Sequence, residues 1–205
     1  MREKKCKCSG DGYIFTTING NSYCEECYCK HLELKERNFG ERFVFKTLDN
    51  FQSNYPDNLF HNPSLIEGLK TIRANINKSM WICGEVELGK THLLAGIYDE
   101  LWAKGNAVRF MKENKFIESV IREDFCLNNR SVQTYLLDEI GKSKIDDWNL
   151  HKVFFGVDTI YSTKKQVIVA SNWKPEQLTD KWGMPAMRRF NEECLLIEIK
   201  RGENG

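Results

Sequence analysis

A chain of 205 residues with 41% hydrophobic and 29% charged side chains, 4 prolines and no low-complexity tract has room for one ordinary domain and a small appendage. That balance excludes a disordered or fibrous protein. With 30 basic against 29 acidic side chains the formal charge is +1, so contact with nucleic acid has to come from a local patch. Met1-Arg2-Glu3-Lys4-Lys5 lacks the apolar core of a signal peptide, and no run reaches the ~18 apolar residues of a membrane span. A cytoplasmic protein without membrane contact is the expectation.

The first segment is set apart by cysteine. Cys6, Cys8, Cys24, Cys27 and Cys29 are five of the 8 in the chain and fall within thirty residues. In a reducing compartment such clustering points to metal before disulfides. Cys6-x-Cys8 and Cys24-x-x-Cys27 can close a tetrahedral Zn²⁺ site around a hairpin that includes Tyr13–Thr17 and turns at Asn19-Gly20-Asn21. Cys29 or His31 can take the place of Cys27. A module this small buries little core, so the metal would supply its folding energy. Arg2, Lys4, Lys5, Lys7 and Lys30 crowd the cluster, and nucleic-acid contact is a second role open to it. His31 to Arg37 reads as a short helix and Asn38-Phe39-Gly40 as a joint. The expected organisation is a cysteine-rich, zinc-binding partner module over 1–37, a linker and lead-in over 38–63, and the main domain over 64–205.

Residues 41–63 are rich in Asn and Phe and are broken by Pro56 and Pro63, which predicts irregular structure. Ser64 to Ile76 carries apolar residues at 65, 66, 69, 72 and 76, a helical period with Ser64 as N-cap. Strands and helices then alternate. The strands are Met80–Cys83, Ala107–Met111, Thr134–Leu137, Val167–Ala170 and Cys194–Ile199. The helices are Lys90–Lys104, Asn114–Arg122 and Trp148–Tyr161. Such alternation predicts an α/β fold of three layers, a parallel sheet with helices on both faces. Cys83, Cys126 and Cys194, scattered through this part, read as small core hydrophobes.

Three strand ends carry the chemistry. Gly84-Glu85-Val86-Glu87-Leu88-Gly89-Lys90-Thr91 is the Gly-x-x-x-x-Gly-Lys-Thr pattern of a phosphate-cradling loop, the P-loop of nucleoside triphosphatases. It follows a short apolar strand and opens a helix whose positive end favours phosphate. Lys90 should reach the β- and γ-phosphates of ATP, and the Thr91 hydroxyl should ligate Mg²⁺. In Tyr135-Leu136-Leu137-Asp138-Glu139 an apolar strand delivers two carboxylates to the ligand edge of the sheet. Asp138 would hold Mg²⁺ through its waters and Glu139 would polarise the attacking water. Val167-Ile168-Val169-Ala170-Ser171-Asn172 repeats that geometry, with Asn172 placed to meet the γ-phosphate or orient the water.

In this order the three segments resemble an AAA+ ATPase, a family with an additional strand between the P-loop strand and the Asp-Glu strand. Gly-Lys-Thr-His-Leu (89–93, including His92), Leu-Leu-Asp-Glu-Ile-Gly (136–141) and Ala-Ser-Asn (170–172) resemble the DnaC-type loaders of bacterial replicative helicases. Helper ATPases of some insertion-sequence transposases are close relatives of that group. Arg42-Phe43 with Thr47-Leu48-Asp49-Asn50-Phe51 resembles the loaders' lead-in segment, which in the family lies near the adenine. The resemblance covers about residues 40–200. It implies an arginine acting across a subunit boundary, and Pro185-Ala186-Met187-Arg188-Arg189-Phe190 makes Arg189 the first choice and Arg188 the second. The six residues after Ile199 leave no room for the helical lid of most AAA+ proteins, as in loaders.

Two positions depart from the family pattern. Glu87 stands where AAA+ loops usually have a third glycine, and its carboxylate would weaken phosphate binding by repulsion. Ile160-Tyr161 stands where loaders often carry an Arg-aromatic pair. Some loaders also have a small zinc-binding N-terminal domain that holds the helicase, which would be the part of residues 1–37 here. The resemblance therefore implies an ATP-hydrolysing helicase loader with a replicative helicase and single-stranded DNA as partners. It also implies self-association through Arg189 at a neighbour's ATP site. A transposition helper on duplex DNA and a weakly hydrolysing adaptor are the alternatives.

Overall fold

The computed structural model describes residues 13–18, 21–51, 62–122 and 131–201. The chain divides into two compact units, Met1–Phe45 and Lys46–Gly205.

In the first unit β1 (Tyr13–Ile18) and β2 (Asn21–Glu26) pair antiparallel, with Ile18 opposite Asn21, which is the expected hairpin. Turn residues 19 and 20 lie outside the described residues. Helix α1 spans Tyr28–Phe39, longer at both ends than the expected His31–Arg37. Its buried residues are His31, Lys35 and Phe39, spaced at four so that one face is covered; two of the three are polar, which hid the stripe from a search for apolar period. Gly40 closes the helix by donating its N–H to the Glu36 carbonyl at 2.7 Å, and a 3₁₀ turn follows at Glu41–Phe43.

The predicted zinc set rests on Cys6, Cys8 and the Cys24 side chain, which fall outside the described residues. Cys27 is the buried, extended N-cap of α1 and Cys29 is half-buried. Among the described residues no group of three or more His, Cys, Asp or Glu is placed to hold a metal ion.

The second unit is built on a five-stranded parallel sheet. Its strands are β3 (Met80–Gly84), β4 (Val108–Lys112), β5 (Thr134–Ile140), β6 (Gln166–Ser171) and β7 (Leu195–Ile199), in the spatial order β4-β5-β6-β3-β7. The additional strand β6 thus lies between the P-loop strand and the Asp-Glu strand, as the AAA+ resemblance implied. The helices are α2 (Pro63–Ala74), α3 (Lys90–Ala103), α4 (Glu113–Ile121), α5 (Asp147–Ser162), α6 (Thr179–Trp182) and α7 (Met184–Glu193). β3 and β5 are apolar on both faces because both are covered. Trp81, Cys83, Tyr135 and Leu137 join a buried cluster with Phe116, Val153, Val157, Trp182 and Phe190. Met80, Ile82 and Leu136 are fully buried on the alternate side. Phe116 stacks on Trp182 at 5.7 Å between ring centres, and Phe190 meets Trp81 edge-on at 5.1 Å. These aromatic contacts bind α4, α6 and α7 to one face, each pair adding about 1 kcal/mol beyond its buried area.

The structure corrects some details of the sequence reading. The N-cap of α2 is Asn62, not Ser64: Asn62 Oδ1 accepts from the N–H groups of Ser64 and Leu65, and Pro63 takes the first helical position, where no donor is needed. The Ser64 hydroxyl instead donates to the Glu198 carbonyl at 3.2 Å. Strand β5 runs on to Ile140, beyond the expected Leu137. The 3₁₀ turn Pro175–Leu178, α6 and α7 were not expected as elements. No described helix is long and apolar enough to cross a membrane.

Candidate nucleotide-binding site

β3 delivers Gly84 to the C-terminal edge of the sheet, beside β7. An added Cβ at Gly84 would sit 2.1 Å from the Ile199 carbonyl oxygen, so the close approach of β7 admits glycine alone. Five residues later Gly89, at φ +76, is the N-cap of α3, whose first-turn N–H groups have no acceptor within the helix itself. Between them Glu87 takes φ +69, a left-handed conformation that a side chain disfavours. The usual glycine of AAA+ loops at this position has a conformational reason here, and this chain does without it. The Lys90 ammonium donates to the carbonyls of Gly84 at 2.7 Å and Glu85 at 2.5 Å, spanning the loop mouth. Burial lowers its pKa from the ordinary lysine value, with Asp138 acting in the opposite direction.

Asp138 lies across from the loop. Its Oδ2 accepts from the Thr91 hydroxyl at 2.9 Å, and its Oδ1 accepts from the Glu139 N–H at 2.9 Å. Burial raises its carboxyl above the usual range, the largest influence on it, with the Thr91 hydrogen bond working against that. A buried carboxylate beside a hydroxyl is the donor set that a hard divalent cation needs, so Thr91 and Asp138 fit Mg²⁺. The β5–β6 register shifts between Leu137 and Ile140, and within that bulge Glu139 adopts φ +63. Bulges re-aim side chains next to functional sites. Here Glu139 accepts from Lys142 at 2.7 Å and pairs with Lys112 at 3.7 Å. The Lys142 hydrogen bond is the main reason its pKa lies below the usual value.

Asn172 follows the last residue of β6. Because β6 lies between β5 and β3, Asn172 stands between the two carboxylates and the loop, exposed at the same edge. Gly84, Lys90, Thr91, Asp138, Glu139 and Asn172 therefore share one end of the sheet. His92, the residue after Thr91, is buried against the lead-in segment: Nε2 donates to the Thr47 carbonyl at 3.0 Å and the ring meets Phe51 edge-on. Arg189 on α7 pairs with Asp158 at 3.1 Å and lies over the Tyr161 ring at 4.2 Å, close to the N-terminal ends of β3 and β6. Arg188 pairs with Glu192 at 2.8 Å and is more exposed, 74% against 33% for the Arg189 side chain.

Sequence reasoning passed over several residues. The buried carboxylate of Glu113 accepts from the N–H groups of Gly141 and Ser143 and from the Trp182 indole at 3.0 Å, which anchors the turn after Glu139. Lys142 sits three residues after Glu139, a spacing that could have been noticed; Lys112 and Glu113 come from a neighbouring strand end and carried no such signal.

A family model of the bacterial DnaA ATPase domain matches residues 41–187. The chain belongs to that family. It is 27% identical over 194 residues to the chromosomal replication initiator protein DnaA of Aquifex aeolicus, covering 88% of this chain and 48% of that protein. Against DnaA of Acinetobacter baumannii it is 28% identical over 121 residues, 55% of this chain and 26% of that protein. The chain thus spans less than half the length of these DnaA relatives.

Among solved structures, AMPPCP-bound DnaA from Aquifex aeolicus superposes with a TM-score of 0.60 at 23% identity, covering 75% of this chain and 50% of the other. DnaA bound to AMPPCP and single-stranded DNA gives 0.59 at 26% identity, covering 75% and 49%. The DnaC helicase loader gives 0.62 at 19% identity, covering 78% of this chain and 99% of the other, a likeness of fold. The DnaA ATPase family with loaders among its fold neighbours is a broader placement than the DnaC-type assignment that the motifs favoured.

Proposed function

We propose that this chain is an ATP-binding and ATP-hydrolysing switch in the initiation of DNA replication, acting as a loader of a replicative helicase onto single-stranded DNA. The observation that carries the nucleotide reading is the meeting of the 84–91 loop, the Thr91–Asp138 pair, Glu139 and Asn172 at one sheet edge. The loop and the start of α3 receive the phosphates, and Lys90 turns from the Gly84 and Glu85 carbonyls to their oxygens. Thr91 and Asp138 would hold Mg²⁺, which supplies charge neutralisation on the β- and γ-phosphates when bound. Glu139 polarises the attacking water once it leaves Lys142 and Lys112, and Asn172 orients that water. Arg189 serves the site of a second copy, its guanidinium oriented by Asp158 and Tyr161. An arginine supplied in trans contributes about 10³–10⁵ in rate.

The loader assignment draws on the motif set 89–93, 136–141 and 170–172 and on the cysteine-rich first unit, to which the helicase would dock with Zn²⁺ held by Cys6, Cys8, Cys24 and Cys27. Single-stranded DNA as a second partner is supported by the DnaA relative that binds it. A slowly hydrolysing, nucleotide-dependent adaptor is the second reading. It is favoured by the carboxylate of Glu87 in the loop and by the two lysines that hold Glu139.

Turnover and trapping separate the two. Glu139→Gln should accumulate ATP-bound protein while wild type releases ADP; no more trapping than in wild type removes hydrolysis from the mechanism. Mixing Arg189→Ala with Lys90→Ala subunits should recover part of the activity that each lacks alone. Affinity purification from the native host should recover a replicative helicase, and recovery of a transposase without one would sink the loader reading.

A further inference from the structure

We propose that Arg201 is a positioning residue of the phosphate loop, bracing it from outside and setting its affinity for the triphosphate. This rests on the nucleotide reading above and adds a residue to it. The Arg201 guanidinium reaches the loop at two points: Nη2 donates to the Val86 carbonyl at 3.3 Å, and Nε lies 3.4 Å from Glu85 Oε2. Its base is held firmly. The preceding residue, Lys200, donates its N–H to the Ser64 hydroxyl at 3.0 Å, and its carbonyl accepts from Asn62 Nδ2 at 2.5 Å. One residue earlier, Ile199 presses on Gly84.

The brace acts at the weakest point of the loop. A trans peptide is planar, so the Val86 carbonyl and the Glu87 N–H point in opposite directions. By holding that carbonyl, Arg201 fixes the direction of the Glu87 N–H, one of the backbone donors from which a phosphate cradle is built. Glu87 is the residue at φ +69, where a side chain resists the conformation, and such strain persists only where surroundings over-determine it. Arg201 supplies one of those restraints. It also places a positive charge on Glu85, one of two carboxylates in a loop that has to accept a highly charged anion. The pair is half-exposed, 50% for Arg201 and 64% for Glu85, so its charge contributes only modestly.

The test is ATP and ADP affinity of the full chain, measured by titration of a fluorescent nucleotide. Wild type must bind far more tightly than Lys90→Ala; equality of those two overturns the nucleotide reading, and this proposal with it. Given that difference, Arg201→Ala should weaken ATP binding roughly tenfold, with Arg201→Lys between it and wild type. In a Glu87→Gly background, where the loop accepts the conformation without a brace, the same loss should shrink to about threefold or less. Arg201→Ala binding ATP within about twofold of wild type overturns the proposal. So does an equal loss in both backgrounds, because a residue that merely supports the fold would not couple to Glu87. Melting curves of all five variants identify loss from unfolding, and an Arg201→Ala chain that melts well below wild type also counts against a local role.

Discussion

At Glu87 steric and electrostatic effects act in the same direction. A non-glycine residue in the left-handed region costs about 1 kcal/mol, and its carboxylate adds repulsion toward phosphate. Glu87→Gly should therefore tighten ATP several-fold, read by titration. Its melting temperature should move little, since glycine's added freedom in the unfolded chain costs about 0.5–1 kcal/mol in return. Asp138 offers a pH test. Its folded-state pKa is raised by burial, so its contribution to stability is fully present below the ordinary carboxylate value and is lost as pH rises through the folded value. Asp138→Asn carries no such loss. The melting temperature of the variant minus that of wild type should increase as pH rises above the ordinary carboxylate value, and a flat difference would refute the raised pKa. The sequence assigned Asp138 and Glu139 different roles but carried no sign that their pKa values move in opposite directions. The pKa of one is raised by burial, while that of the other is lowered chiefly by Lys142.

Among elements, the joint between α3 and the lead-in segment is the most exposed to test. Gly96 on α3 leaves space that Thr47 and Leu48 occupy: an added Cβ would lie 2.6 Å from the Leu48 nitrogen and 2.9 Å from the Thr47 carbonyl carbon. Backbone cannot give way as a flexible side chain can. Gly96→Ala should destabilise the protein by about 1–3 kcal/mol, seen in denaturant unfolding. Because His92 and Phe51 fasten the same segment, nucleotide affinity should fall with it. Unchanged affinity would detach the segment from the site. Strands β3, β5 and β6 were legible because burial on both faces leaves continuous apolar runs. Helix α7 was not: Met184–Glu193 carries Pro185 at its start and only a narrow buried stripe of Ala186, Met187 and Phe190.

For the whole molecule, the two compact units predict a separation of tasks. Lys90→Ala should abolish nucleotide binding while the proposed helicase partner still co-purifies with the chain, and loss of both together would argue against separate modules. Metal analysis of the purified chain tests the first unit. About one zinc per chain is expected, and less than about half an equivalent, with Cys6→Ser leaving the fold unchanged, would defeat the zinc site.

The order of motifs along the chain was enough to predict a P-loop α/β domain and to single out Lys90, Thr91, Asp138, Glu139 and Asn172 as candidates. Each belongs to a local pattern, an apolar strand followed by a polar tip, that needs no distant partner to be read. Only the tertiary structure brought Lys112 and Lys142 onto Glu139, Glu113 beneath the turn at Gly141, Asp158 and Tyr161 around Arg189, and Arg201 onto the loop. Most of these contacts join residues far apart in sequence, brought together by strand order and helix packing, and spacing along a chain carries no trace of such neighbours. Lys142 is the exception: three residues from Glu139, it was within reach of the sequence, and the bulge in β5 decided that the two would meet.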